Sequence, residues 1–168
     1  EIFCGIEDRE EQRENSTKKM LDAAMREFAK NGYLATTLTD IADHAGVTKG
    51  LILARFNSKE ELFSAVIKQL FWEYEKGVNA ADSFYDILNK MITDIKADVS
   101  SKSDQGKIFQ HICNQTIPDS CSKELLDEFN KSKIAAVFEK AIREGILKKE
   151  ENVADICFKF IQAVTYIS

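Results

Sequence analysis

The chain has 168 residues, of which 44% are apolar and 30% are charged, and its formal net charge is −5. This length suits one domain or two small domains that share a core, and the apolar fraction argues against a disordered chain. The seven glycines and one proline argue against a many-stranded sandwich or barrel and favour long helices. No apolar run approaches the roughly 18 residues of a membrane span, and residues 1–5 lack the features of a signal peptide. We therefore expect a soluble, cytoplasmic protein.

Charge is spread unevenly along the chain. Residues 1–8 carry a net charge of −3 and residues 69–168 another −3, whereas residues 9–68 carry 10 positive and 9 negative side chains. The N-terminal third is therefore the least acidic part, a weak asymmetry in favour of a polyanion partner there. The four cysteines form no C-x-x-C motif, so we expect free and mostly buried thiols.

The first predicted helix follows a charged lead-in. Residues 1–12 are expected to be irregular, and the helix runs from about Ser16 to Lys30. Gly32 can adopt the left-handed conformation that ends a helix. The apolar residues of this helix recur at helical spacing on one face: Leu21, Ala24, Met25 and Phe28.

Two short helices come next. Thr37, with Asp40 three residues later, is a capping-box pattern, and it opens a helix that ends at Gly46. Thr48 caps a second short helix that reaches about Arg55.

The remaining pattern is also helical. Ser58 and Glu61 repeat the capping box and open a long helix, whose apolar side carries Leu62, Val66, Leu70, Phe71 and Tyr74. Further helices are predicted over about 81–98, 104–115 and 122–144, with a break at Pro118, a stop at Gly145 and a last helix from Asn152. Because no segment alternates convincingly as a strand does, we expect an all-α fold.

The segment from Thr37 to Phe56 is the most informative. Two short helices joined by a tight turn at Gly46 must cross steeply, and the small Ala42 permits their close approach. We expect Gly46 to stand where a Cβ would clash, and a small core to fix the angle, formed by Ile41, Val47 and Ile52. A DNA-reading helix-turn-helix needs such a corner, although a plain helical corner gives the same spacing.

The wider segment carries a longer set of motif residues: Ala24, Phe28, Gly32-Tyr33, Thr36-Thr37, Ile41-Ala42, the run from Ala45 to Gly50, Phe56 and the run from Ser58 to Leu62. On these residues, 16–67 resembles, without gaps, the DNA-binding domain of the TetR (tetracycline-repressor-like) family of transcriptional regulators. The resemblance implies a three-helix DNA-binding domain at 13–57 and a helical effector-binding and dimerisation domain at 58–168, about one helix short of the usual family length.

One position departs from the family pattern. Between Gly50 and Phe56 the family usually carries an aromatic residue and then Tyr or His, where this chain has Leu53 and Arg55. Arg55 could contribute a phosphate or guanine contact. Alternatively, Leu53 and Ala54 could read thymine methyl groups, and the sequence does not decide between these hypotheses.

The candidate DNA contacts are Tyr33, Thr37, Thr48, Lys49, Gly50, Leu53, Ala54, Arg55 and Lys59. Thr37 and Thr48 lie at helix N-termini, where hydroxyl and N–H groups can meet phosphates or only cap the helix. Lys49 is placed for a base edge or a phosphate, and Gly50 allows close approach to DNA or merely eases packing. Lys59 could contact the backbone or be a surface lysine, and Tyr33 could contact a phosphate or belong to the core.

Two further sets of candidates lie in the C-terminal part. The resemblance implies an effector pocket, for which the candidates are Phe71, Trp72, Tyr74, Phe84, Tyr85, Met91 and Phe109, although all of these first fit a core. The last predicted helix is apolar over much of its circumference, which favours self-association. The candidates for a homodimer interface are Val153, Ile156, Phe160, Val164 and Ile167.

The sequence as a whole indicates a DNA-binding transcriptional regulator. The resemblance implies a homodimeric repressor that a small-molecule effector releases from a palindromic operator. The alternatives are an effector-independent or activating regulator and a helical ligand-binding module that no longer reads DNA. No nucleophile with a placed base and no metal-ligand spacing is present, so we expect neither catalysis nor a cofactor.

Overall fold

The structure, a computed structural model, describes residues 4–79, 81–114 and 119–148, together with 159 and 163. Throughout these residues the regular structure is helical. The eight helices of the continuous ranges are α1 (Cys4–Ala35), α2 (Leu38–Ala45), α3 (Lys49–Phe56), α4 (Lys59–Glu75), α5 (Phe84–Ser101), α6 (Asp104–Cys113), α7 (Asp119–Asn130) and α8 (Lys133–Arg143). The all-α expectation is confirmed, whereas the break at Pro118 and the helix from Asn152 lie outside the described residues.

Two predicted helix boundaries were wrong. α1 begins at Cys4, so residues 4–12 are helical and not irregular, because the arginine, glutamate and glutamine side chains of 9–14 are good helix formers without an apolar face. The helix predicted over 122–144 is two helices, since the chain turns before Ser132 and the Ser132 hydroxyl accepts a hydrogen bond from the N–H of Ala135 at 3.0 Å.

Other local predictions are confirmed in full or in part. Gly32 leaves the helical region with φ 75°, and Gly145 has φ 75° after α8. Thr37 and Asp40 form both halves of a capping box at the start of α2. At α4 only half of the predicted capping box forms: the Ser58 hydroxyl accepts from the N–H of Glu61, whereas the Glu61 carboxylate accepts from the side-chain amide of Asn57.

The core consists of two clusters. The first unites α1 to α4 with α6 and α7, and it contains the predicted Phe28 together with Met20, which the pattern of the first helix did not include. The second joins α5, α7 and α8. Phe71 packs against both clusters, so the three N-terminal helices rest on a continuous body. The predicted division at residue 58 stays a prediction.

None of the helices in the described ranges combines the length and the apolar character that a bilayer span requires. Among the cysteines whose side chains are described, Cys121 lies buried in the first cluster, and its thiol donates to the carbonyl of Glu60 at 3.8 Å.

Candidate nucleic-acid interface

The corner between α2 and α3 is closed by backbone hydrogen bonds. Gly46 adopts the left-handed conformation with φ 67° and ψ 33°, and the N–H of Val47 donates to the carbonyl of Ala42 at 3.0 Å. Ile41, Ala42 and Ile52 are buried, as predicted, and Val47 is partly buried. The expected clash at Gly46 is wrong, because a Cβ there would meet nothing within 4 Å. The left-handed φ alone favours glycine at this position.

Ile52 anchors α3 to the core, and most of the helix faces outward. Lys49, Gly50 and Ala54 are exposed, and the leucine side chains at 51 and 53 are 40% and 37% exposed. Leu51 was not among the predicted contacts, although its position one residue before the buried Ile52 could have indicated its exposure. The structure therefore brings four predicted contacts, Lys49, Gly50, Leu53 and Ala54, onto one free surface.

Gly50 is not required by packing. A Cβ at this position would find only the hydroxyl oxygen of Thr48, at 3.9 Å, which is an ordinary contact distance. The interpretation that Gly50 eases packing is therefore unsupported, and the space in front of it is open to a ligand.

The N-termini of α2 and α3 differ in charge. At α2, the Thr37 hydroxyl donates to the Asp40 carboxylate at 2.6 Å and the Thr37 N–H donates to it at 3.0 Å. Both hydrogen bonds lower the pKa of Asp40, and the bond from the hydroxyl has the larger effect. The Asp40 carboxylate therefore already occupies the position at the start of α2 where an anion would bind. At α3, Thr48 accepts from the N–H of Leu51 at 3.1 Å and the first turn holds no acidic residue. The start of α3 is thus the better site for a phosphate.

Arg55 is half-buried, and its side chain turns back onto α1. Its Nη1 donates to the hydroxyl of Thr17 at 2.7 Å and to the carbonyl of Arg13 at 3.4 Å. The contact of Arg55 with a base or a phosphate stays a prediction, because these bonds occupy only one of the guanidinium nitrogens. Thr17 lies 38 positions away, so no local pattern could have indicated its bond with Arg55.

Lys59 and Tyr33 join the start of α4 to the end of α1. The Lys59 ammonium donates to the carbonyls of Tyr33 at 2.9 Å and Thr36 at 3.0 Å, and it lies 4.3 Å from the centre of the Tyr33 ring. Tyr33 is only 5% exposed and packs against Phe28 and Phe63. Burial raises the pKa of Tyr33, and the nearby Glu60 carboxylate raises it further. Tyr33 is therefore a core residue, which corrects its predicted phosphate contact.

The aromatic candidates for an effector pocket do not share one cavity. Phe71 and Trp72 line a groove of about 860 Å³ between α1, α4 and the α7–α8 junction, whose walls include Thr17, Leu21 and Arg55. Tyr74 lines a smaller cavity of about 310 Å³ and donates a hydrogen bond to the Asp98 carboxylate. Burial and this bond raise the pKa of Tyr74.

The other candidates lie elsewhere. Phe84 packs edge-on against Phe138 in the second core cluster, which also buries Met91. Tyr85 is 61% exposed. The side chain of Phe109 and the predicted dimer contacts Val153, Ile156, Phe160, Val164 and Ile167 lie outside the described residues.

Known proteins share this arrangement. Residues 20–66 match the family model described as bacterial regulatory proteins, tetR family. Over these residues the chain is similar to the tetR family. Among curated relatives, the transcriptional regulator TtgR of Pseudomonas putida is 38% identical over 73 residues, which are 44% of this chain and 35% of TtgR. This chain thus spans about a third of the length of that relative.

Other similarities cover more of the chain. The repressor KstR2 of Mycolicibacterium smegmatis is 24% identical over 156 residues, or 89% of this chain and 76% of KstR2. The solved structure of the fatty acid degradation regulator FadR from Bacillus halodurans superposes with a TM-score of 0.65 at 18% identity, over 89% of this chain and 85% of FadR. At this identity the superposition shows that the fold is shared.

Proposed function

We propose that this chain is a transcriptional regulator of the TetR type, which inserts α3 into the major groove of operator DNA. The observation that carries the proposal is the outward face of α3, where Lys49 and its neighbours are exposed around a single buried anchor, Ile52. The first turn of α3, free of carboxylates, faces the same solvent and suits a DNA phosphate. The similarity to the repressor KstR2 supports a repressor and not an activator.

Lys49 supplies the charge of this surface. Its side chain is exposed, and its ammonium makes no hydrogen bond or ion pair within the described part of the chain. Lys59 remains a candidate DNA contact only through the third N–H of its ammonium, because the other two donate to the carbonyls of Tyr33 and Thr36. We propose that Lys59 mainly holds the start of α4 against the end of α1.

Selection of bound duplexes from a random pool tests the proposal. Binding to the selected duplex should weaken steeply as salt rises, because DNA releases its counterions. Lys49→Ala should cost at least about 1 kcal/mol and lower the salt slope by roughly one. Lys96→Ala, which removes an exposed lysine from α5, is the matched control and should change neither. Failure to enrich any sequence at low salt contradicts the proposal.

A small-molecule effector is the second part of the proposal. The groove beside Phe71 and Trp72 opens next to Arg55, so a ligand there would act close to the end of the reading helix. A 100-fold release from DNA requires the ligand to prefer the released state by about 2.7 kcal/mol, which is within ordinary allosteric coupling.

Trp72 offers a direct readout for this groove. It is the only tryptophan of the chain and is 60% exposed. Titration with anilinonaphthalene sulfonate, an amphipathic anion, should change Trp72 fluorescence and weaken binding to the selected duplex in parallel. If the probe changes Trp72 fluorescence but does not weaken binding to the selected duplex, the result favours an effector-independent regulator.

A homodimer completes the proposed function. A two-fold axis would place two copies of α3 on successive major grooves and make the operator a pseudo-palindrome. Sedimentation of the chain should give twice its own mass, and the selected duplexes should show two inverted half-sites. A monomer that selects a single half-site contradicts this part of the proposal.

A further inference from the structure

The outward face of α3 has an unusual composition for a surface that reads bases. Successive residues of a helix are about 100° apart, so Gly50 and Ala54 lie along the middle of the face that opposes Ile52. Leu51 flanks this line on one side and Leu53 on the other. The leucines at 51 and 53 are 40% and 37% exposed, and Gly50 and Ala54 are exposed between them. The centre is therefore small and its flanks are apolar.

The polar alternatives are absent from this face. Arg55 is half-buried, with its Nη1 held by Thr17 and the carbonyl of Arg13, so Lys49 is the one charged side chain of α3 that is exposed. The segment from 49 to 56 contains no asparagine, glutamine, aspartate or glutamate. Amide side chains typically read adenine, and carboxylates accept from cytosine. α3 therefore lacks the usual means of reading either base by hydrogen bonds.

Thymine remains as the base that apolar side chains can recognise. Its C5-methyl group projects into the major groove, where it packs against apolar side chains. The glycine and alanine in the middle of the face let the helix approach the base edges closely enough for the two leucines to reach such methyl groups.

We propose that α3 recognises its half-site through thymine methyl groups, which pack against Leu51, Leu53 and Ala54. Lys49 supplies the only side-chain hydrogen bonds from α3 to a base edge or phosphate. This inference rests on the proposed DNA-binding function, and it decides between the two hypotheses that the sequence left open for Leu53 and Arg55.

Removal of the methyl groups from the DNA tests the inference directly. A duplex pool is first enriched on the full chain and is then amplified with dUTP in place of dTTP, which keeps every sequence but deletes each thymine methyl. Each lost methyl contact should weaken binding about fourfold, so the uracil pool should bind more than tenfold more weakly. A duplex with uracil only outside the half-sites is the control for general changes of DNA shape and should bind like the thymine duplex.

Variants of the chain locate the effect. Leu51→Ala and Leu53→Ala should each bring the ratio of thymine to uracil affinity closer to one, and both positions are exposed enough to leave folding intact. Ile146→Ala, which truncates an apolar residue that is also 40% exposed but lies beyond α8, is the matched control and should keep the ratio. Arg55→Ala should select the same bases as the parent chain.

The contrary outcomes are distinct. A pool that is enriched but binds equally well with uracil overturns this inference and leaves DNA binding in place. A guanine that disappears from the sites selected by Arg55→Ala also overturns it, because Arg55 would then read a base. A thymine pool that shows no enrichment removes the proposed function and this inference together.

Discussion

Replacing Gly50 with alanine should raise the stability of the chain while it weakens DNA binding. Gly50 is the second residue of α3, it is exposed, and its φ lies outside the left-handed region. An added Cβ would lie 3.9 Å from the nearest atom, so the folded chain accepts it without strain. Alanine loses less conformational entropy in a helix than glycine does, which favours Gly50→Ala by about 0.5 kcal/mol near a helix start. The melting temperature should rise by about 1–2 °C.

The same methyl group should obstruct the DNA. It would stand in the middle of the proposed reading face, where overpacking of a fitted surface costs about 1–3 kcal/mol, so binding should weaken at least about fivefold. Thermal unfolding gives the stability, and fluorescence anisotropy with the selected duplex gives the affinity. A less stable variant would refute the packing argument, and an equally stable complex with DNA would refute the placement of Gly50 at the interface.

Three further changes test the hydrogen bonds that hold α2, α3 and α4 in place. Lys59→Met removes two charge-assisted hydrogen bonds and should lower the free energy of unfolding by about 1–2 kcal/mol in a urea titration; a change below 0.3 kcal/mol (on the order of measurement error) speaks against this role. Thr17→Val and Arg55→Ala should each destabilise the chain, and a double-mutant cycle should give a coupling of about 1 kcal/mol, whereas additive effects contradict the contact. Because its capping bonds lower the folded-state pKa of Asp40, they stabilise the chain above an unfolded pKa of roughly 3.9 and are lost as pH falls through the lower folded value. Asp40→Asn should therefore reduce the acid sensitivity of unfolding, and an unchanged acid profile argues against that effect.

Short-range sequence patterns predicted the corner between α2 and α3 well. The cap at Thr37, the turn at Gly46 and the burial of Ile41 and Ile52 depend on residues within a few positions of one another. These features follow from backbone hydrogen bonds and helical spacing, which the sequence displays directly. Leu53 was likewise correctly expected to be exposed.

Contacts between distant segments could not be predicted in the same way. Arg55 was expected to face DNA, yet its partner is Thr17, near the middle of a helix whose early start was also missed. Tyr33 fitted both a phosphate contact and the core, and only the rings of Phe28 and Phe63 around it decide for the core. In each case the side chain was compatible both with contact to DNA and with packing against another helix, and the tertiary packing favours the second.

The length of α1 has a consequence for how a signal could reach the DNA. Before the kink at Gly32, α1 holds the end of α3 through Thr17, and beyond the kink the carbonyl of Tyr33 holds the start of α4. A displacement of the long segment before Gly32 therefore acts directly on the end of α3. A ligand bound in the groove beside Thr17 and Arg55 would thus reach α3 through this one contact between helices.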